Sequence, residues 1–468
     1  MLMLLHTVTS VRIRVNAAGR LSKNMATCCG VKQGCMIAAI LFNLYLSDMM
    51  NAFNLTNANP VKVNGVIVGW LAYADDLVIL DYTPAGLQHM LDSLVSYSAA
   101  NGLTINIDKS KMMVFSKKQR PKRYLWNLDS KKLEQVMSYK YLGIIVGEKL
   151  TWESQWSALK NRCIVSTNAL STFIGRNSGY SATLVINIYL AKIWSMILYG
   201  VEIWGHSFVN RMVVFEAKLL RKLLRLPHNL SVEYLYLEFA IKGIWCAYTC
   251  QCVLSYEKVV TLANDTIIVP YMQAYLRLEG NMLVGTLGII QQTYRKWLPG
   301  STPGMSTIAA QKRDIKKKVF ELWNEQNITN VASKSNSGPY PEEYLTRITP
   351  PKYIVAHPST STFRTYLLMK FNMTNALATK GDILGIPKEM RKCRLCGNDV
   401  YESLYHLIMN CESLTAIRTK SFKSFNNAID MTDTTELWMS FMCGNDINLI
   451  YYFVIFYVKF VAILKCIK

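Results

Sequence analysis

Apolar and polar residues alternate with period two near the start of the chain. Val11, Ile13 and Val15 are separated by Arg12 and Arg14, so Thr7 to Val15 reads as a strand, with a turn at Asn16-Ala17-Ala18-Gly19 and a second short strand ending near Thr27. The period then changes. After the polar, glycine-bounded loop Gly30-Val31-Lys32-Gln33-Gly34-Cys35, the residues Ile37, Ile40, Leu41, Leu44 and Tyr45 fall at helical spacing. Two short β-branched runs follow, Val66 to Leu71 and Leu77 to Leu80, and predict a hairpin around Tyr73-Ala74-Asp75-Asp76. Pro84 opens a further helix with Leu87, Met90, Leu91, Leu94 and Tyr97 on one face, and Gly102 closes it. Leu103 to Ile107 and Met112 to Phe115 read as strands. Together these elements predict an α+β layer, an antiparallel sheet with helices on one face.

Beyond residue 150 the pattern is helical. Trp152 to Phe173, Thr183 to Trp204 and Phe215 to Leu226 read as helices, the last with Lys218, Arg221, Lys222 and Arg225 as a basic face opposite Leu219, Leu220, Leu223 and Leu224. Lys312 to Asn324 is a second basic helix, and Ser333 to Pro341 reads as a linker. Thr183 to Trp204 and the terminal Leu449 to Ile467 are each about long enough to span a bilayer. Asn187, Lys192 and Glu202 interrupt the first and Lys459 the second, so packed helices are expected in both places and a membrane partner is not.

Charge narrows the partners. The 468 residues hold 52 Lys and Arg against 31 Asp and Glu, a formal charge of +21, which favours a polyanion, either nucleic acid or an anionic surface. The twelve cysteines are scattered apart from one cluster, which argues against a secreted disulfide scaffold. Met1 to Ser47 contains no acid. Such a basic start can be a transit peptide, but its strand period is not that of an amphipathic helix.

Two constellations carry chemistry. Asp75 and Asp76 force like charges into a small volume, and a hard divalent cation is the usual relief, although a solvated turn would read the same way. Cys393-x2-Cys396-x9-His406-x4-Cys411 has the ligand types and end spacings of a structural zinc site, four protein ligands with no open position. The alternatives are a chance Cys-x-x-Cys with a core histidine, or a redox pair.

The loop Gly30 to Cys35 with Leu41-Phe42-Asn43-Leu44-Tyr45, then Tyr73-Ala74-Asp75-Asp76-Leu77, then Gly102-Leu103-Thr104-Ile105-Asn106 with Lys109-Ser110-Lys111, then Tyr139-Lys140-Tyr141-Leu142-Gly143, resemble successive palm motifs of a reverse transcriptase of the non-LTR retrotransposon type. The cysteine cluster and Leu198-Tyr199-Gly200-Val201-Glu202-Ile203-Trp204 are similar to later features of the same elements. The resemblance implies a right-hand polymerase palm remnant at 1–147, a helical thumb at 148–230, a helical connector at 231–385, a small zinc-bound module at 386–415 and C-terminal helices at 416–468.

The resemblance also assigns roles. Asp75 and Asp76 would hold Mg²⁺ as the catalytic pair, Gln33, Gly34 and Lys109 would meet template and nucleotide, and Tyr139, Tyr141, Leu142 and Gly143 would grip the primer end. Cys393, Cys396, His406 and Cys411 would hold Zn²⁺. The partners would be an RNA template, a DNA primer or target, and deoxynucleoside triphosphates. Met36, Ala38 and Ala39 stand where the family usually has prolines and a serine. The family's further palm carboxylate, upstream of the Gln-Gly loop, has no candidate before Asp48, and the fingers are missing too. The expectation is therefore a truncated, inactive RNA-directed DNA polymerase fragment that still binds nucleic acid. The alternative is a non-enzymatic nucleic-acid-binding protein that uses the basic thumb and zinc module.

Overall fold

A computed structural model describes residues 12–26, 37–53, 57–63, 65–116, 122–129, 131–176, 180–260, 292–293, 295–296, 308–332, 360–371, 376, 378, 381, 384–422, 434–443 and 447–466. It divides between Thr151 and Trp152 into two compact units. The class is α+β, with small antiparallel sheets in the first unit and many helices in the second.

The first unit is a set of hairpins leaning on one helix. Arg12–Ile13 pairs with Met25–Ala26, and inside that pair Asn16–Ala17 meets Arg20–Leu21. Ala18 and Gly19 close the inner turn with φ of 51° and 81°, the double left-handed geometry whose twist suits a two-residue hairpin. Helix Pro84–Ala100 is the backbone of the unit. Pro84 sits in its first turn, and the Thr83 hydroxyl accepts the Gly86 N–H, which satisfies one orphan donor. The Asp81 carboxylate accepts from the Asn59 N–H, the Thr83 N–H and the Thr83 hydroxyl. A Cβ on Gly86 would lie 2.7 Å from both Asp81 carboxylate oxygens, so this turn needs glycine.

One side of the helix packs Met90 and Tyr97 against Met49, Phe53, Trp70 and Leu77. Another packs Leu91 against Met112, Trp126, Leu128 and Leu133, and Ile79 touches both clusters.

Two expectations change here. Leu103 to Ile107 forms no ladder, and the second expected strand shrinks to Lys111–Met112, which runs parallel to Glu134–Gln135. Ile105, Ile107 and Val114 still face the core, so burial alone accounts for the period-two pattern. The expected single sheet is instead one three-stranded sheet and several separate two-stranded ones.

In the second unit the expected helix from Thr183 to Trp204 is broken. Ala182–Ile188 runs into a π-helical stretch, Tyr189–Trp194, then Ser195–Leu198, and Gly200 at φ 60° turns the chain into Val201–Trp204. Tyr189, Ile193, Ile197, Val201 and Trp204 are buried. Among the described residues no single helix is long and apolar enough to cross a membrane; Ala182–Leu198 and Val201–Ser207, bent by 49°, pass that test only together.

The C-terminal helix Ile447–Cys466 buries Phe453, Phe456 and Phe460, with Phe422 and Phe441 against Phe453. Lys459, the charge that interrupts this stretch, donates to the Ser421 hydroxyl at 3.2 Å.

The helices of this unit converge on a buried carboxylate. Glu216, on helix Val209–Leu223, accepts from the Tyr189 hydroxyl at 2.9 Å, the Ile244 N–H at 2.9 Å and the Tyr236 hydroxyl. It thereby ties four segments together. A second buried pair, Lys370 Nζ to Glu238 at 2.5 Å, joins helix Thr360–Lys370 to helix Val232–Phe239.

Burial raises the Glu216 carboxyl above its ordinary 4.5, outweighing the donors that favour its charged form. Its contribution to stability is thus full below 4.5 and is lost as pH rises through the raised value. Relative to Glu216→Gln, the native chain is expected to be most resistant to urea near pH 4.5 and to lose that margin by pH 8. Glu216→Ala, which strands three buried donors, is expected to cost about 3–5 kcal/mol at any pH.

Candidate active site and metal centre

Trp70–Tyr73 and Asp76–Ile79 form the expected hairpin, with Trp70 opposite Ile79 and Tyr73 opposite Asp76. Ala74 and Asp75 make the turn, with Ala74 at φ 52°. Asp76 therefore begins the second strand while Asp75 sits at the tip, and both are exposed. The hairpin is fixed from behind: Trp70 stacks on Phe53 with ring centroids 5.3 Å apart, and Leu77 and Ile79 pack on helix Pro84–Ala100. Apolar burial on one face thus holds the two carboxylates out on the other.

A second hairpin, Ser138–Tyr141 with Ile144–Gly147, is closed by Leu142 at φ 44° and Gly143 at φ 85°. Burial first, and then the charge of Asp76, pushes the Tyr141 hydroxyl above its ordinary value, which puts this strand beside the Asp pair. Lys109 is exposed in a turn that the Asn106 side chain holds by accepting the Lys109 N–H at 3.1 Å. The Tyr139 hydroxyl donates to the Lys109 carbonyl at 3.0 Å. Asp76, Tyr141, Tyr139 and the Lys109 turn are therefore neighbours. Gln33 and Gly34 lie outside the described residues.

Asp48, the first acid in the chain, is committed elsewhere. It accepts from the Tyr97 hydroxyl at 2.6 Å, and burial together with this carboxylate raises Tyr97 to about 12.

Of the basic face expected on Phe215 to Leu226, Lys218, Lys222 and Arg225 are exposed. Arg221 is not part of it: its Nε donates to the Leu230 carbonyl at 2.7 Å, half-buried. A guanidinium one turn from the end of a helix finds the following loop's carbonyl more readily than a lysine can, because it presents a rigid fork of donors.

Cys393, Cys396, His406 and Cys411 converge, their ligand atoms all within 4.8 Å of one another. Sγ of Cys393 is 3.9 Å from Sγ of Cys411, and Sγ of Cys396 is 3.5 Å from Nε2 of His406. A tetrahedron about Zn²⁺ with bonds of about 2.3 Å has edges of about 3.8 Å, so the donor set and spacing fit a closed site. Burial lowers the His406 imidazole, which favours the neutral, ligating form. Cys411 follows the π-helical His406–Asn410 and does not share a helix with His406.

The residues that brace this cluster were not legible in the sequence. Buried Glu402 takes the Arg394 fork at 2.7 and 3.1 Å and the Arg394 N–H at 2.8 Å, clamping the Cys-x-x-Cys turn to the strand before His406. Arg418 donates to the carbonyls of Ile408 and Cys411, each at 2.7 Å. Nothing in the local spacing pairs position 394 with 402 or 418 with 411.

The model of the reverse transcriptase (RNA-dependent DNA polymerase) family matches residues 3–146, so this segment, which holds both carboxylates, is reverse-transcriptase domain sequence. Its relatives are RNA-directed DNA polymerases of non-LTR retrotransposons. The RNA-directed DNA polymerase from mobile element jockey of Drosophila melanogaster is 25% identical over 207 residues, 42% of this chain and 22% of the relative. The polyprotein of the type-2 retrotransposable element R2DM, from the same fly, is 31% identical over 140 residues, 28% of this chain and 13% of the relative. The R2 polyprotein of Bradysia coprophila is 27% identical over 234 residues, 46% of this chain and 25% of the relative. The chain thus spans a quarter or less of these relatives' lengths.

Glu402→Ala removes the clamp but no ligand. It is expected to weaken Zn²⁺ binding about 10- to 100-fold in a competition titration against a chromophoric chelator. Unchanged affinity would show that the Cys-x-x-Cys turn holds its geometry without Glu402.

Proposed function

We propose that this chain carries part of the palm of a non-LTR retrotransposon reverse transcriptase, followed by a helical thumb, a helical connector and a zinc-bound module, and that it binds nucleic acid without synthesising DNA on its own. The observation that supports it most is a convergence: Asp76, the Tyr139 to Gly143 hairpin and the Lys109 turn are far apart in sequence, match successive motifs of one polymerase family, and come together on one exposed face. In the parent reaction Asp75 and Asp76 hold Mg²⁺, which neutralises charge developing on the transferred phosphoryl group. Tyr141 and the Leu142-Gly143 turn form the edge against which a primer end would rest, and Lys109 offers a cation to the triphosphate.

Inactivity follows from the carboxylate count. Two-metal phosphoryl transfer in this family needs a further acid upstream of the Gln-Gly loop. Residues 1–47 contain none, and Asp48 already accepts from Tyr97. The non-enzymatic alternative draws on different residues: exposed Lys218, Lys222 and Arg225, and the module around Cys393. Zn²⁺ on the four ligands there would fold a segment too small to support a core of its own.

Two experiments separate these readings. In a primer-extension assay on homopolymer RNA the purified chain is expected to make no product. Robust synthesis would refute the inactive reading. For binding, the triple variant Lys218→Ala, Lys222→Ala, Arg225→Ala is expected to lose affinity for an RNA–DNA hybrid and to reduce the slope of log K against log salt by about 2 to 3. An unchanged slope in a folded variant would remove the helix from the interface.

A further inference from the structure

Helix Ile244–Val260 carries Cys246 and Cys250 one turn apart on the same face. Cys246 is fully buried and Cys250 partly exposed. Their side chains are hydrogen-bonded to one another. Two cations converge on the pair. Lys242, just before the helix, has Nζ 4.9 Å from the ring centroid of Phe320, and Lys316 lies one turn before Phe320 on the neighbouring helix Ile308–Ala332. Both ammonium groups act on the Cys250 sulfur, and among the described residues no carboxylate opposes them. The S–H of Cys246 and then these two lysines pull the Cys250 thiol down against its burial, while its role as donor and its burial raise Cys246. Partly exposed thiols in electropositive surroundings are the reactive ones.

We propose that Cys250 is a modification site for thiol–disulfide exchange with small disulfides that bear carboxylates. Lys242 and Lys316 pair with the carboxylates while the Cys250 thiolate attacks one sulfur of the reagent. A new S–S bond forms as the old one breaks. The electron pair leaves on the departing thiolate, which takes a proton from solvent, so the protein sulfur is oxidised as the released thiol is reduced. Cys246 does not resolve the adduct. Cβ atoms at this helical spacing are about 5–6 Å apart, beyond the roughly 3.5–4.5 Å of a disulfide, so the mixed disulfide persists while the helix is intact.

The test uses the full chain with Zn²⁺ present, oxidised glutathione as the anionic probe and cystamine as the cationic one, with adducts located by peptide mass mapping. Cys250 is expected to take glutathione ahead of the other cysteines and to react faster with it than with cystamine; this comparison needs no variant. In Lys242→Ala/Lys316→Ala the preference for the anionic probe is expected to fall about tenfold. In Cys250→Ser the adduct is expected to be lost. First labelling at other cysteines, a Cys246–Cys250 disulfide, or equal rates with the two probes would each overturn the proposal.

Discussion

Two carboxylates placed side by side repel each other, and the chain around them exists in its present shape because something stronger holds them there. That something is apolar burial on the reverse face of a four-residue-by-four-residue hairpin. Trp70, Leu77 and Ile79 are locked onto helix Pro84–Ala100, which is itself fixed at its start by the Thr83 cap and by Asp81 beneath Gly86. With the hairpin anchored, the tip has nowhere to go but outward, and the like charges of Asp75 and Asp76 stay adjacent and hydrated. Such a tip is suited to a hard cation, and the nearby Tyr141 hydroxyl and Lys109 turn give that cation's substrates a floor and a counter-charge.

The second unit solves a different problem. Its helices are rich in aromatic and branched residues, and polar groups trapped among them have to be satisfied internally. Glu216 collects two phenols and a backbone N–H, Glu238 pairs with Lys370, and Glu402 takes the fork and the N–H of Arg394. Each of these carboxylates joins segments distant in the chain. Removing one strands several donors at once, which is why buried polar networks of this kind are stiff and specific. The cysteine–histidine cluster extends the same principle, because a divalent cation there would bind four side chains from two turns.

Much of this was readable beforehand, for stated reasons. The Asp hairpin, the hairpin at Leu142-Gly143 and the helix from Pro84 carry local signals, namely β-branched runs, a turn glycine and a proline at the first helical position. The ligand spacing around Cys393 is likewise local. Misreadings came where partners are distant. Leu103 to Ile107 alternates like a strand but meets only side chains, so no ladder forms. Arg221 belongs by spacing to a basic face, yet it turns back to the Leu230 carbonyl. Thr183 to Trp204 reads as one helix by composition, while the π-helical stretch and Gly200 divide it so that Tyr189 can reach Glu216.

The sequence by itself determined the order of the motifs, the class of the elements that carry them, the excess of positive charge and the identity of the metal-ligand types. All of these are properties of near neighbours or of totals. Only the tertiary structure decided that Tyr141 borders Asp76, that Tyr139 holds the Lys109 turn, that Asp48 is occupied by Tyr97, and that Lys242 and Lys316 flank Cys250. The physical reason is common to all four. Electrostatic and hydrogen-bonding partners act over a few ångströms in space, and the chain separation that closes those few ångströms is set by core packing, which leaves no periodic trace at the polar positions themselves.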